Sequence, residues 1–346
     1  MRVLQALAGA AEGGAEMHFV RLCVALAQAG VEERALIRPD AGRAAALASG
    51  GVPVAQAPFG GLLDRKTKAI FGREIAAFDP DIVLTYMSRA SAKCPKGDFV
   101  HLARLGGYYN LKNYRHCDHL VCITPDIVDY CRRGGWPENR THFIANFVDD
   151  RAVEPAQDRA ALDTPEGAPL IFALGRLHKN KGFDILIDVL AELDQGDLDG
   201  AHLWLAGDGP LRAALGVHAG EKGVADRVHF LGWQADPMPY FAAADVYVVP
   251  SRHEPLGSVL LEGWMAGVPM VAAASQGPRF VVDDGETGLL VPVDDAPAMA
   301  RAIASLFSDP ALAKRLVANG RKAYEAGYTE THAVAQYLSL FERILN

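Results

Sequence analysis

The chain predicts an α/β architecture of two doubly wound, Rossmann-like domains facing an inter-domain cleft. Three observations predict it. Short apolar runs alternate with helix-length segments, and such alternation builds parallel sheets with helices on both faces. The pattern halts in a loose acidic stretch with Ala and Pro at 149–169, then restarts. The length, 346 residues, exceeds one typical domain and suits two. Doubly wound sheets bind ligands past the carboxyl ends of their strands, so the cleft between the domains is the expected site.

Residues 3–7 read as the first strand, followed by a Gly-rich loop. A helix over 15–29 carries Phe19, Leu22, Cys23 and Leu26 at helical spacing and stops at Gly30. Buried strands follow at 82–85, 99–102 and 120–123. After the linker come a strand at 170–174, a helix at 183–193 and strands at 202–205 and 228–231. Residues 246–249 and 270–272 are apolar runs flanked by Gly or Pro.

Half the residues are hydrophobic and 22% are charged, an ordinary globular balance. The net charge of −8 is uneven: residues 1–150 hold 18 basic and 16 acidic residues, the remainder 16 and 26. That asymmetry fits an anionic partner for the first half, or two ordinary surfaces; no nucleic-acid partner is expected. The five cysteines, Cys23, Cys94, Cys117, Cys122 and Cys131, are odd in number and include no C-x-x-C pair. Reduced, mostly buried thiols are therefore expected, rather than a disulfide framework or zinc cluster. The start resembles a signal peptide only superficially, because its apolar run is short and interrupted by Gln5. No run approaches the ~20 apolar residues that span a bilayer. A cytoplasmic protein is expected, at most peripheral at the inner face of the membrane. For that contact the candidate is the helix bearing Arg65, Lys66, Lys68 and Arg73, whose alternative is a solvated basic face.

The stretch richest in chemistry runs from Pro250 to Pro269, P-S-R-H-E-P-L-G-S-V-L-L-E-G-W-M-A-G-V-P. A helix starting near Gly257 would put Glu254 in the loop after a strand and Glu262 on the helix. The backbone N–H groups of Leu256, Gly257 and Ser258 would then face an anion at a helix N-terminus. A loop carboxylate, anion-binding amides and a second carboxylate that takes ribose hydroxyls fit a diphosphate-linked sugar. Otherwise Glu254 helps cap the helix and Glu262 is solvated.

This segment resembles the E-x7-E signature of glycosyltransferase family 4, whose members have the GT-B fold and retain anomeric configuration. The resemblance extends along most of the chain. Leu174-Gly-Arg-Leu-His-Lys-Asn-Lys-Gly is similar to the family's G-R-L-x-x-x-K-G loop, so Arg176 and Lys181 are implied to hold the donor diphosphate. Two fixed cations there would stabilise the charge of a departing nucleoside diphosphate. Leu205-Ala-Gly-Asp-Gly-Pro resembles the nucleotide-lining G-x-G-P segment and implicates Gly209. His229-Phe-Leu-Gly-Trp resembles the segment that passes the base, implicating Gly232 and Trp233; for Trp233, packing is the alternative to stacking. Glu12-Gly-Gly-Ala-Glu resembles the G-G-A-E loop, in which Gly14 admits donor and acceptor closely. The resemblance thus names Glu254, Arg176 and Lys181 as catalytic, and Gly14, Gly209, Gly232, Trp233, Leu256, Gly257, Ser258 and Glu262 as donor-binding. It also implies a domain of residues 1–155 completed by a C-terminal helix at 328–346, with residues 156–327 binding the donor.

Two departures stand out. Where the family often has a histidine near the reaction centre, Ala103-Arg-Leu-Gly-Gly-Tyr-Tyr places Gly106. Neighbouring His101 falls inside a strand and reads as core, which leaves Arg104, Tyr108 and Tyr109 as acceptor-side candidates. Ile144-Ala-Asn-Phe-Val-Asp has Phe147 where N-G-v-D is usual. The D-x-D motif that holds a divalent cation in the other large glycosyltransferase architecture is matched only in bland places. Asp79-Pro-Asp81 precedes a strand and Asp197-Leu-Asp199 lies in a polar loop, so no metal and no cofactor are expected.

The expected activity is transfer of a sugar, with retention, from a nucleoside diphosphate sugar to a glycan or lipid-linked saccharide of the cell envelope. A sugar-nucleotide epimerase is the rival of the same fold. A nicotinamide-dependent oxidoreductase would need G-x-G-x-x-G, which the glycines here do not supply.

Overall fold

The computed structural model describes all residues except 11, 12, 62, 152, 154 and 194–197. Glu12 and Asp197 therefore lie outside the described residues. The chain divides into two compact units, Met1–Phe147 with Glu330–Asn346, and Val148–Thr329.

The first unit is built on strands β1 (Arg2–Leu7), β2 (Glu32–Ile37), β3 (Val54–Gln56), β4 (Ile82–Tyr86), β5 (Val100–Leu105), β6 (His119–Cys122) and β7 (Thr141–Phe143). They form one seven-stranded sheet in the order β3-β2-β1-β4-β5-β6-β7, with every pairing parallel. The second unit has β8 (Leu170–Leu174), β9 (His202–Ala206), β10 (Val228–Gly232), β11 (Val246–Val249), β12 (Met270–Ala273) and β13 (Leu289–Val291). Its order is β10-β9-β8-β11-β12-β13, again parallel throughout. In each sheet the order reverses beside the first strand, and a crevice at such a switch point is where ligands bind.

Helices connect the strands. The first unit has α1 (Gly14–Gln28), α2 (Ala41–Ser49), α3 (Arg65–Phe78), α4 (Met87–Lys93) and α5 (Pro125–Arg133). The second has α6 (Phe183–Leu193), α7 (Arg212–Glu221), α8 (Met238–Ala243), α9 (Ser258–Ala266), α10 (Gln276–Val281), α11 (Ala296–Ser308) and α12 (Pro310–Gly327). Helix α13 (Glu330–Leu345) belongs to the first unit, where Ala333, Val334, Tyr337, Leu340 and Phe341 share a core with Phe19, Leu22 and Leu26 of α1.

Several starts are set by short polar side chains that accept from the helix's first free N–H groups. Asp40, Asp64, Thr124 and Asp295 do so for α2, α3, α5 and α11. Asp79 ends α3 in a left-handed conformation, and Asp81 accepts from the Arg2 amide at 2.7 Å. The Asp79-Pro-Asp81 spacing is thus a helix stop and a strand entry.

All five cysteines are free and buried. On α3 the basic residues Arg65, Lys66, Lys68 and Arg73 are exposed, while Phe71 joins the unit's own core. No helix among the described residues is long and apolar enough to cross a membrane. Phe147, in place of the usual glycine, is 1% exposed and packs edge-on against His18 at 5.3 Å. Its ring thus fills core space beside α1.

Candidate functional site

The densest group of predicted residues lies in the second unit, where β8 and β11 are neighbours and their loops run side by side. Gly182 ends the β8 loop with φ +69, and a Cβ there would overlap the Pro250 carbonyl oxygen. Only glycine fits both the conformation and the close approach. The His253 amide then donates to the Asn180 carbonyl at 3.1 Å. With the loops joined, Lys181 Nζ meets Glu254 Oε2 in an ion pair, to which Ser251 Oγ adds a bond at 3.4 Å. Glu254 is 8% exposed. In that setting a carboxylate must be paired, and the ammonium supplies the partner.

Arg176 lies five residues before Lys181 on the same loop, exposed, with no side-chain partner among the described residues. Behind it, Gly209 lies against Leu177: a Cβ there would come within 2.5 Å of the Leu177 carbonyl oxygen. The Leu177 amide donates to the Asp208 carbonyl at 2.9 Å, and the Gly207 amide to Gly232 at 2.7 Å. The loop after β9, which carries Gly209, is therefore bonded through the main chain both to the loop that carries Arg176 and to Gly232. Trp233, next along, is 55% exposed, so its indole is not core packing.

Helix α9 begins at Ser258 behind Gly257, which has φ 82 and supplies no side-chain cap. Leu256, just before it, is buried. Glu262 is half-buried on α9, and the phenol of Tyr247 is buried within reach of the charges of both glutamates. Burial, and then the charges of Glu262 and Glu254, push that phenol far up. Its oxygen has no hydrogen-bond partner among the described residues.

Sequence reasoning missed the residue that staples this group. Arg252 donates to both carboxylate oxygens of Asp184 at 2.8 and 2.6 Å, to Asp294 at 2.5 Å and to the Lys179 carbonyl at 3.0 Å. It holds the β11 loop onto α6 and the β8 loop through a bidentate fork. The available signal was Asp184, two residues past Gly182. Burial opposes the Asp184 charge, but the guanidinium outweighs it and holds the carboxyl below its usual range.

In the first unit, a Cβ on Gly14 would meet nothing within 4 Å. The crowding falls on Gly9 and Gly13, where the carboxylate of buried Glu16 occupies the space a side chain would need. Glu16 also accepts from the Ala10 amide at 2.8 Å, and Arg43 donates to the Ala10 carbonyl at 2.6 Å. The glycines thus serve loop closure, while the open space belongs to Gly14.

The strand read at 99–102 is β5, Val100–Leu105, so of the acceptor-side candidates Arg104 lies within the strand. It is 3% exposed, bonded to Asn146 and stacked 5.3 Å over the ring of Tyr86. Tyr108 donates to Asp126, and burial together with that carboxylate pushes its phenol up to about 12. Tyr109 stacks on Tyr114 at 6.4 Å, and its carbonyl accepts from Tyr130 at 2.8 Å. A side chain at Gly106 would meet the Tyr109 hydroxyl at 3.7 Å and Arg104 Nη1 at 3.9 Å, so two of the three candidates line the space left by the expected histidine. His101 is buried on β5 as core, bonded to Thr85 at 3.0 Å, and burial holds its imidazole down to about 3. A further histidine went unnoticed: His18 on α1 is buried, and neither ring nitrogen has a hydrogen-bond partner among the described residues. Burial, then Arg104 and Arg21, hold it well below its ordinary value.

Comparison with known proteins bears on both units. Residues 12–152 match the family model for Glycosyltransferase Family 4, and residues 155–323 match that for group 1 glycosyl transferases. The lipopolysaccharide core biosynthesis glycosyltransferase LpsE of Rhizobium meliloti is 40% identical over 95% of this chain and 96% of its own. LpsD of the same organism is 38% identical over 96% of each. Among solved structures, Anabaena HepE in complex with UDP and glucose superposes with a TM-score of 0.84 at 20% identity, covering 99% of this chain and 100% of its own. The two parallel sheets are accordingly those of the GT-B fold.

Proposed function

The chain belongs to glycosyltransferase family 4, and from that premise we propose that it transfers a sugar from a nucleoside diphosphate sugar to a lipopolysaccharide core acceptor. The acceptor class rests on the names of the two R. meliloti relatives. The donor class rests on one observation above the others: the Lys181–Glu254 ion pair at the switch point, with exposed Arg176 on the same loop.

In this reading Lys181 and Arg176 meet the diphosphate and stabilise the charge it gains as the glycosidic bond breaks. The α9 N-terminus adds the dipole of its first turn. Glu262 takes the ribose hydroxyls, and Glu254 orients Lys181 while facing the sugar. Trp233 offers an exposed face for the base. Two cations at the diphosphate take the part a divalent ion would otherwise play, which supports metal-independent transfer. The family resemblance supports retention, in which the acceptor hydroxyl attacks from the leaving group's face and a donor phosphate oxygen takes its proton. The first unit supplies the acceptor groups, with Arg104 and Tyr109 beside Gly106 as the nearest polar side chains.

A thermal-shift panel of UDP-, GDP-, ADP- and CDP-sugars in EDTA tests the donor class. Stabilisation by one base, abolished in Lys181→Ala with Arg176→Ala, is the expected result. No stabilisation by any nucleotide, or a nucleotide-dependent shift that appears only when magnesium or manganese is restored, overturns the reading.

A further inference from the structure

At the opposite end of β5 from Arg104, three ligand-bearing side chains converge. His101 is the second residue of β5, and His116 and Cys117 lie in the turn just before β6. One ligating atom from each lies within 4.8 Å of the others, and His101 Nε2 is 3.8 Å from Cys117 Sγ. Zinc bonds of about 2.0–2.1 Å to nitrogen and about 2.3 Å to sulfur in a tetrahedron set ligand atoms roughly 3.6 Å apart. His101 and Cys117 thus already stand near ligand spacing.

We propose that His101, His116 and Cys117 form a binding site for one zinc ion or a similarly thiophilic divalent cation, with a water molecule completing the tetrahedron.

The surroundings match what a metal-bound imidazole requires. Nε2 of His116 lies 2.7 Å from the Ser91 carbonyl, so it carries the proton and donates. That bond fixes the ring and leaves Nδ1 as the nitrogen with a lone pair; ligating histidines characteristically donate their other N–H in this way. His101 Nε2 is 3.0 Å from the Thr85 hydroxyl, which is itself 2.9 Å from Ser91 Oγ. When Nε2 takes the ion, the Thr85 hydroxyl keeps Ser91 Oγ as a partner. Cys117 is 5% exposed, whereas His116 is exposed, which gives the ion an entry from solvent. On binding, the sulfur–metal bond replaces S–H and the proton passes to water.

The ion would tie β5 to the segment that enters β6, and through His116 and Ser91 to α4. It lies at the amino-terminal end of the strands, away from Arg104, Gly106 and Tyr109, so its expected effect is on the stability of the first unit. Spacing alone hides the site, because residues 101, 116 and 117 match no C-x-x-C pattern.

Cobalt titration of the reduced, chelator-stripped protein tests the proposal. One equivalent should produce thiolate-to-cobalt charge-transfer absorption with the intense visible bands of a tetrahedral ion, and one equivalent of zinc should abolish both. Zinc should also raise the Tm by several degrees, reversed by EDTA. His116→Ala changes an exposed side chain and should weaken uptake at least tenfold with an unchanged circular dichroism spectrum. Cys117→Ser should remove the charge-transfer band, and Cys131→Ala should keep it. Absence of the band in the parent protein, or its persistence in Cys117→Ser, overturns the proposal.

Discussion

The loops after β8 and β11 and the stretch after β5 all lie past the carboxyl ends of parallel strands, but they are held differently. The first two are joined through the main chain, with Gly182 against Pro250 and the His253 amide on the Asn180 carbonyl, and the Arg252 fork and the Lys181–Glu254 ion pair add to that junction. Past β5 the shape is held mainly by side chains, Tyr108 on Asp126 and Tyr130 on the Tyr109 carbonyl. A main-chain approach that leaves no space for a Cβ admits one residue type, so it leaves a readable motif. A side-chain network can be rebuilt from other residues, and it leaves none.

The largest expected effect is at the ion pair. Glu254→Gln removes the charge that orients Lys181, and kcat should fall about 10²–10³-fold, the scale of losing one fixed electrostatic contact. Single-turnover kinetics would check it; a loss confined to KM would show that Glu254 only binds.

Next come two glycines of opposite kind. Gly182→Ala must adopt φ +69 and overlap the Pro250 oxygen, which should cost about 2–4 kcal/mol of stability in urea unfolding. Gly14→Ala meets nothing within 4 Å and should leave stability within about 0.5 kcal/mol while raising the donor KM. Equal destabilisation by both would erase the distinction between loop-closing and ligand-facing glycines.

Trp233→Ala comes third. Base stacking on an aromatic face contributes about 1–3 kcal/mol, so the donor KM should rise roughly tenfold at constant kcat. An unchanged KM would mean the exposed indole does not meet the base.

The smallest effect is in pH. Burial, then His119 and the nearby arginines, hold His142 down to about 4 from 6.5. The unfolded chain therefore takes a proton near pH 6.5 that the folded chain refuses. Stability is present above that pH and drains as the pH falls towards 4. Discounted for the group's partial exposure, the loss is on the order of 1 kcal/mol, and His142→Gln should flatten that part of the stability profile.

Strands with unbroken apolar runs were legible almost to the residue, as at Leu170–Leu174 and Val246–Val249. Strand β2 was not, because Glu32, Glu33 and Arg34 break its pattern. The structure buries Glu33, with Gln5 donating to both carboxylate oxygens at 3.1 Å, and burial holds its carboxyl far above the usual range. No sequence rule announces a buried carboxyl whose partner is 28 residues away on another strand. The same limit hid Arg252, whose partners Asp184 and Asp294 stand 68 and 42 positions off, and it hid the burial of Arg104, whose partner Asn146 stands 42 positions off. The paired glutamates, Lys181 and the glycines around them were legible because each lies in a short local motif.

The central claim is a division of labour at the donor: Lys181 acts on the leaving group, Glu262 on the ribose. Steady-state kinetics of Lys181→Ala and Glu262→Ala, side by side with the matched nucleotide sugar, test it most directly. The account predicts that Lys181→Ala loses at least 100-fold in kcat with KM changed severalfold at most, a deficit of about 2.7 kcal/mol in the transition state. Glu262→Ala should raise KM about tenfold and spare kcat. Near-parent rates in both variants, or the reverse split, would contradict it.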